Sequence, residues 1–271
     1  MSTKRILVPV ELTQASDKVA AYAGIIAKKA NLELSLLHIS RGKSDMDAIE
    51  QLKSMAQKLE SESSVKCDYL VKEGNLFNEM ANVANDPMYS MMIIGSHGSK
   101  GIREKLLGSD ILKLVKNIPV PVLTIQETGY NFPEKGIQKI VFPASAHTTF
   151  DKVIDATVFF AKLFESEVYV YTVEKPGSPW SDVLRSNIEK AISAFERNSI
   201  NFTRVNEQQS SYSPGYAKQI LQYAGKIKAD MISVISTPTS EHYYIADSDK
   251  ERLLTNELQI PVLCVSDKKQ V

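Results

Sequence analysis

The chain has 271 residues, 43% of them hydrophobic, which is enough for one large or two smaller domains with a buried core. Its 32 basic and 32 acidic residues cancel to a formal net charge of zero and are interspersed, which argues against a broad basic face for nucleic acid. Cys67 and Cys264 stand one in each half, with no CxxC pair and no histidine spacing suited to zinc, so both are expected as buried, reduced thiols.

The first residues, Met1 to Arg5, run into an apolar stretch of only about five residues, too short for a signal peptide. No later apolar run is long enough to cross a bilayer, so the expectation is a cytoplasmic protein with no membrane partner. Ile6-Leu7-Val8-Pro9-Val10 reads as a buried strand, and Asp17 to Ala30 as a helix with Val19, Tyr22, Ala23, Ile26 and Ala27 on one face. Leu32 to Ile39 is a second strand, Asp45 to Ser63 a polar amphipathic helix, Val65 to Val71 a strand and Leu76 to Asn85 a helix. Met91-Met92-Ile93-Ile94 is a short apolar run that fits a strand buried on both faces. Strand and helix alternate throughout, and such alternation implies a parallel sheet covered on both sides.

Between the Met91 run and the amphipathic helix that begins near Asp110 lie Gly95-Ser96-His97-Gly98 and then, after nine intervening residues, Gly108-Ser109. Glycine lets backbone approach a ligand, and a helix start leaves N–H groups unpaired, a combination suited to phosphate. Ser109 falls at or next to the N-cap, and Lys100, Arg103 and Lys105 add positive charge to the loop. A tight turn followed by an ordinary cap explains Gly95 and Gly98 equally well; the second Gly-Ser pair favours the phosphate site. There is no Gly-Lys-Ser or Gly-Lys-Thr for a P-loop, and the third glycine is too distant for a dinucleotide fingerprint.

Residues 128–136 break all periodicity and read as a linker. After them the pattern restarts: Arg5-Ile6 and Pro9 are echoed by Lys139-Ile140 and Pro143, Asp17-Lys18 by Asp151-Lys152, and the strand Val120 to Ile125 by Ile260 to Val265. This is an internal duplication. The second copy continues with a helix Asp151 to Phe164, a strand Glu167 to Val173, a helix near Ser181 to Asn198, a strand near Phe202 to Val205, a helix Tyr216 to Ile227 and a strand Met231 to Ile235. Aligned by eye, Ser236, Thr239 and about Ser248 stand opposite Gly95, Gly98 and Gly108, and Ser145 opposite Glu11. The prolines at 121 and 261 suit an edge strand, where a missing N–H leaves no ladder bond unmade.

The Gly-x-x-Gly, nine residues, Gly-Ser pattern, with Ile118-Pro119-Val120-Pro121-Val122-Leu123-Thr124-Ile125 after it, resembles the ATP-binding class of universal stress proteins. The resemblance implies two tandem α/β domains of flavodoxin-like or Rossmann-like type, akin to the adenine nucleotide alpha hydrolases, at residues 1–127 and 137–271. Each would be a five-stranded, mainly parallel sheet with helices on both faces. It further implies an adenine nucleotide, ATP alone or with Mg²⁺, in the first domain only. Gly95, Gly98, Gly108 and Ser109 would be on the phosphates, Ile94 and Pro9 lining the pocket, Ile39 beside adenine and Glu11 near the nucleoside. In the family the position of Glu11 is usually aspartate. Family members pair through their last strands, so an internal pseudo-dimer is expected, with a homodimer of two chains left open. The implied role is stress response or regulation. The rivals are a slow ATPase or phosphotransferase in the same pocket, and a scaffold whose second domain binds another ligand.

His97 reads as a loop histidine touching phosphate rather than as a general base, since no carboxylate is in sight to orient it. His38 is read as structural, and Asp110 as a helix-start acid rather than a metal ligand. His147 and His242 lie in loops with no partner that sequence can name, and Trp180, Tyr243 and Tyr244 gather in the altered loops of the second half.

Overall fold

The computed structural model describes residues 4–40, 46–96, 108–126, 130–174, 177, 179–208, 216–237 and 245–270. In the first half, β1 (Arg5–Pro9), α1 (Gln14–Ala30), β2 (Glu33–Ser40), α2 (Met46–Ser63), β3 (Cys67–Glu73), α3 (Leu76–Ala84), β4 (Tyr89–Ser96), α4 (Gly108–Asn117) and β5 (Val122–Gln126) alternate as the apolar patterns require. The second half repeats the order with β6 (Lys139–Pro143), α5 (Asp151–Phe164), β7 (Glu167–Glu174), α6 (Asp182–Arg197), β8 (Phe202–Gln208), α7 (Tyr216–Ile227), β9 (Met231–Ile235), α8 (Asp247–Leu254) and β10 (Val262–Val265). Helix α8 was not foreseen in the sequence, because its eight residues carry two acids in the first turn and almost no apolar excess.

Helix ends follow side-chain chemistry. Thr13 caps α1 with a reciprocal pair of bonds, the Ser16 amide donating to Thr13 Oγ1 at 3.2 Å and the Thr13 amide to Ser16 Oγ at 2.9 Å. Asn31 ends α1 in the left-handed conformation at φ 54°, which asparagine tolerates better than most residues. Asn75 and Ser181 begin α3 and α6 with a side-chain oxygen that accepts from first-turn amides, those of Phe77 and Asn78 and that of Leu184.

The strands form one sheet in the order β3-β2-β1-β4-β5-β10-β9-β6-β7-β8. Every neighbouring pair is parallel except β5 with β10, where Val122, Leu123 and Thr124 face Cys264, Leu263 and Val262. The expected fold class therefore holds, with one change: the two five-stranded sets are continuous, and the edges of the molecule are β3 and β8. Pro121 and Pro261 do not lie on an edge, as the sequence suggested. They precede β5 and β10 in the middle of the sheet, and each contributes only its carbonyl, accepting from Met92 and Ile232 amides at 2.9 Å.

Side chains alternate across the sheet into two cores that both run through the two halves. Ile6, Val8, Leu36 and Ile93 join Phe142, Phe160 and Leu263 beneath α1, α2, α5 and α6. Leu7, Leu37 and Met92 join Val141, Ile232 and Val262 beneath α3, α4, α7 and α8. Residues 130–136 of the expected linker are packed between α1 and α5: the Tyr22 hydroxyl donates to the Tyr130 carbonyl at 2.9 Å, and Phe132 lies 5.7 Å from the Tyr22 ring and 5.9 Å from Phe164. Gly136 follows at φ +73°, where a Cβ would fall 2.2 Å from Phe164 Cδ1, so only glycine fits.

Asn256 ties the seam. Its carbonyl accepts from Gln126 Nε2 at 2.6 Å, while its side chain donates to the Leu253 and Ile260 carbonyls and accepts from the Ile260 amide. Asn256→Ala keeps the main-chain carbonyl that Gln126 reaches but removes the side-chain partner of the Ile260 amide and carbonyl, and is expected to lower unfolding free energy by about 1–3 kcal/mol, read as a lower denaturant midpoint with unchanged m-value.

Candidate functional site

The order β2-β1-β4-β5 reverses its winding direction between β1 and β4, and an open α/β sheet offers its ligand crevice there, beyond the carboxyl ends of the strands. Pro9 ends β1 half-buried, Val10 donates its amide to the Leu37 carbonyl at 2.9 Å, and Glu11 is exposed beyond it. Ile94, 2% exposed, and Gly95, half-buried, lie at the end of β4, with Ser96 closing the strand. Ile39 sits near the end of β2, one strand away, packed at the margin of the core that also contains Ile94. Gly108 opens α4 and Ser109 is its second residue, both partly exposed, so the helix starts two positions before Asp110. The structure thus brings Pro9, Glu11, Ile94 and Gly95 to one switch point, with Ile39 on the neighbouring strand end. His97 and Gly98 lie outside the described residues.

His38 hydrogen-bonds through Nδ1 to the Val10 carbonyl at 3.0 Å; a carbonyl only accepts, so Nδ1 carries the proton and the ring braces the end of β1. Asp110 makes an ordinary helix pair with Lys113 at 3.5 Å. Cys67 and Cys264 are both free and buried, and burial pushes each thiol up to about 12.

Strand register corrects the half-to-half correspondence. Val122 and Val262 both follow a proline, Gly95 pairs with Ile125, and Ile235 pairs with Val265. Ile235, not Ser236, therefore stands in the place of Gly95; Ser236 answers Ser96, and Pro238 falls opposite Gly98. The correspondence had slipped by one residue: Ile6 pairs with Met91 and its counterpart Ile140 with Met231, and this register carries through to the end of the fourth strand.

The cleft of the second half, beyond β6 and β9, is filled by its own polar groups. His147, 1% exposed, accepts from the Ser145 hydroxyl on Nδ1 at 2.8 Å and donates Nε2–H to the Thr237 carbonyl at 2.9 Å. Asn187 donates to the Ser145 and His147 carbonyls at 2.9 and 2.8 Å. Lys250, 1% exposed, donates its ammonium to the Thr237 and Ser236 carbonyls at 2.6 and 3.2 Å. Burial pulls the Lys250 ammonium down to about 8, against the favourable charge of Asp247 3.7 Å away. Burial, reinforced by the Lys250 charge, pushes His147 down to about 4, so its ring is neutral near pH 7. Sequence reasoning left His147 without a partner and passed over Asn187 and Lys250. Both stand on apolar stripes, Asn187 with Leu184, Ile188 and Ala191 and Lys250 with Leu253 and Leu254, and that misplacement was the available signal. Trp180 packs against the core, and Tyr243, Tyr244 and His242 lie outside the described residues.

Residues 2–126 match the family model described as Universal stress protein family. The first half of this chain is a universal stress protein domain. Over 45% of the chain it is 26% identical to the Universal stress protein YxiE of Bacillus subtilis, covering 98% of that protein. Its fold over 98% of the chain is similar to that of a universal stress protein from Archaeoglobus fulgidus DSM 4304, with a TM-score of 0.69 at 17% identity and 99% of that chain covered. A second solved structure, of a universal stress protein described as putative, from Pseudomonas aeruginosa UCBPP-PA14, has a TM-score of 0.63 at 17% identity, covering 98% of this chain and 94% of that one. The universal stress domain is thus followed by a second unit of the same fold, in which His147, Asn187 and Lys250 are buried and bonded at the carboxyl ends of the strands. Among the described residues no helix is long and apolar enough to cross a membrane.

The neutral, buried His147 makes stability depend on acid. A folded-state pKa below the unfolded value means that the unfolded chain binds the extra proton first, so stability falls as pH drops from about 6.5 towards 4. That window should remove on the order of 3 kcal/mol. Chemical denaturation across this range is expected to show the loss in the native chain and a much shallower one in His147→Asn, which keeps a polar partner for Ser145 but does not titrate.

Proposed function

We propose that the first half binds an adenine nucleotide, ATP, at one site per chain, in the crevice between the carboxyl ends of β1 and β4. The observation that supports this best is the difference between the two clefts. At the end of β4 stands Gly95, with Gly108 opening the helix that follows, whereas the matching cleft carries Ile235 and is occupied by His147, Asn187 and Lys250. Backbone N–H groups of a glycine-bearing loop and a free helix start attract phosphate through hydrogen bonding and the helix dipole. In the filled cleft a lysine ammonium holds the carbonyls instead.

In this reading Gly95, Gly98, Gly108 and Ser109 hold the phosphates with His97 beside them, Pro9 and Ile94 line the pocket, Ile39 presents its backbone to adenine, and Glu11 faces the nucleoside. The bound nucleotide contributes charge and shape rather than a reactive group. The chain acts as a nucleotide-gated regulatory or stress-response protein of the cytoplasm, with Mg²⁺ entering only as the companion of the triphosphate. Its two domains, residues 1–127 and 137–271 around the segment 128–136, form a pseudo-dimer, a reading supported by the antiparallel pairing of β5 with β10. Nucleotide can alter a partner surface only if the two states of the pair differ in affinity for it.

Calorimetric titration of ATP with Mg²⁺ into the full chain, with released phosphate assayed on the same samples, tests the proposal. One site per chain without phosphate release is expected. Gly98→Val should weaken binding by about thirtyfold or more, the equivalent of about 2 kcal/mol in lost backbone donors. Rapid phosphate release would replace this reading with an enzyme, and no binding by the native chain would refute it.

A further inference from the structure

Helices α4 and α8 come from different halves, yet they pack antiparallel across the seam, the start of α4 against the end of α8. A Cβ placed on Gly108 would lie 3.0 Å from the Glu251 carbonyl oxygen and 3.1 Å from Thr255 Cγ2. Gly108 is therefore in close contact with the second half, and its missing side chain serves helix packing as well as any ligand. Thr255 is an exposed residue at the end of α8, but its rotamer is fixed: its hydroxyl donates to the Glu251 carbonyl at 2.9 Å, which leaves the methyl group turned towards Gly108.

The other end of α4 is held by the same unit. Lys116 Nζ pairs with Asp247 Oδ2 at 2.5 Å, and the Ser236 hydroxyl lies 3.4 Å from the Val115 carbonyl. Asp247 begins α8, whose first turn is anchored by the buried Lys250 ammonium beneath the Ser236 and Thr237 carbonyls. The groups that fill the second cleft thus fix α8, and α8 grips α4 at both ends.

We propose that α8 sets the position of the phosphate-facing start of α4, with Thr255 as the positioning residue, so that the second half governs the nucleotide affinity of the first. The proposal rests on the nucleotide reading above. A helix start binds an anion through several N–H groups at once, and a small displacement of its first turn misaligns all of them. Loosening α8 therefore weakens the hold on phosphate and leaves the base and ribose contacts, which lie on β1 and β2, intact.

The test uses the full chain in three forms: native, Thr255→Val, which keeps the methyl group, and the pair Thr255→Ser with Asp247→Ala, which removes both grips. ATP and adenosine are titrated separately, and amide hydrogen exchange is followed at Leu112 to Val115 in the absence of ligand, with circular dichroism to establish that each variant is folded. In the paired variant ATP affinity should fall about fivefold. Adenosine affinity should stay unchanged and the α4 amides should exchange faster, while Thr255→Val follows the native chain. Unchanged ATP affinity, or an equal loss for ATP and adenosine, would overturn the proposal. If the native chain binds no ATP, the nucleotide reading fails separately and the exchange data decide alone: faster exchange in the paired variant upholds the grip of α8 on α4, and unchanged exchange refutes it.

Discussion

The pairing of β5 with β10 is the contact on which the rest of the molecule depends. Each half taken alone ends in a strand with one unpaired row of backbone groups, and a short, largely apolar edge of that kind invites association with any other strand. Joining the two edges antiparallel satisfies both rows and buries Val122, Leu123, Val262 and Leu263 to 1% exposure or less. At about 25 cal/mol per Å² of apolar surface, such side chains are each worth on the order of 2 kcal/mol. The same pairing lets two cores run unbroken under both halves, brings α4 against α8 on one face of the sheet and draws residues 130–136 between α1 and α5 on the other.

Once joined, the two halves diverged in how they satisfy polar groups at the carboxyl ends of their strands. A strand end leaves carbonyls and amides facing a crevice, and these require water, ligand or side chains. The second half uses side chains. A buried ammonium costs several kcal/mol of desolvation unless its donors are matched, and Lys250 has two carbonyls and Asp247 for that purpose. His147 is held neutral between a hydroxyl donor and a carbonyl acceptor, which assigns both ring nitrogens unambiguously. Partly satisfied, such a network would leave a buried charge or amide unpaired; fully bonded, it rigidifies the strand ends it joins.

Most of the fold was legible because both-face burial writes itself into uninterrupted apolar runs. Met231 to Ile235, Asp151 to Phe164 and Tyr216 to Ile227 are bounded in the structure where the patterns end. Three features were less legible, each for a physical reason. Helix α8 is only eight residues long and mostly charged, with Leu253 and Leu254 beside Lys250 on its buried face, so periodicity passes over it. The correspondence at Gly95 slipped by one residue because identity of residue type carried less information than ladder register. The prolines at 121 and 261 signalled correctly that no N–H is used at those positions, but an edge is only one place where that condition is met, and the residue before a central strand is another. For the site, the alternation of elements placed the ends of the first and fourth strands, Pro9 and Ile94-Gly95, beside one another, and the sheet order agrees. The partners of His147 and the contact at Gly108 were not legible, since they join residues far apart in the chain.

Gly108 unites these threads, because its absent Cβ is what the contact between the halves requires. In the antiparallel contact with α8 a Cβ at this position would lie 3.0 Å from the Glu251 carbonyl oxygen and 3.1 Å from Thr255 Cγ2, closer than ordinary contact, so any side chain here would press the two helices apart. The aligned position in the second half, Ser248, lies on α8 itself, near the end held by Lys116 rather than in a close contact of this kind. The seam is thus not symmetric at the level of side chains even though its backbone pairing is. The glycine and the methyl group of Thr255 meet on one side, and the Lys116, Asp247 and Lys250 charges meet on the other. An asymmetric seam between two copies of one fold lets the same backbone pairing carry different side-chain contacts at its two ends.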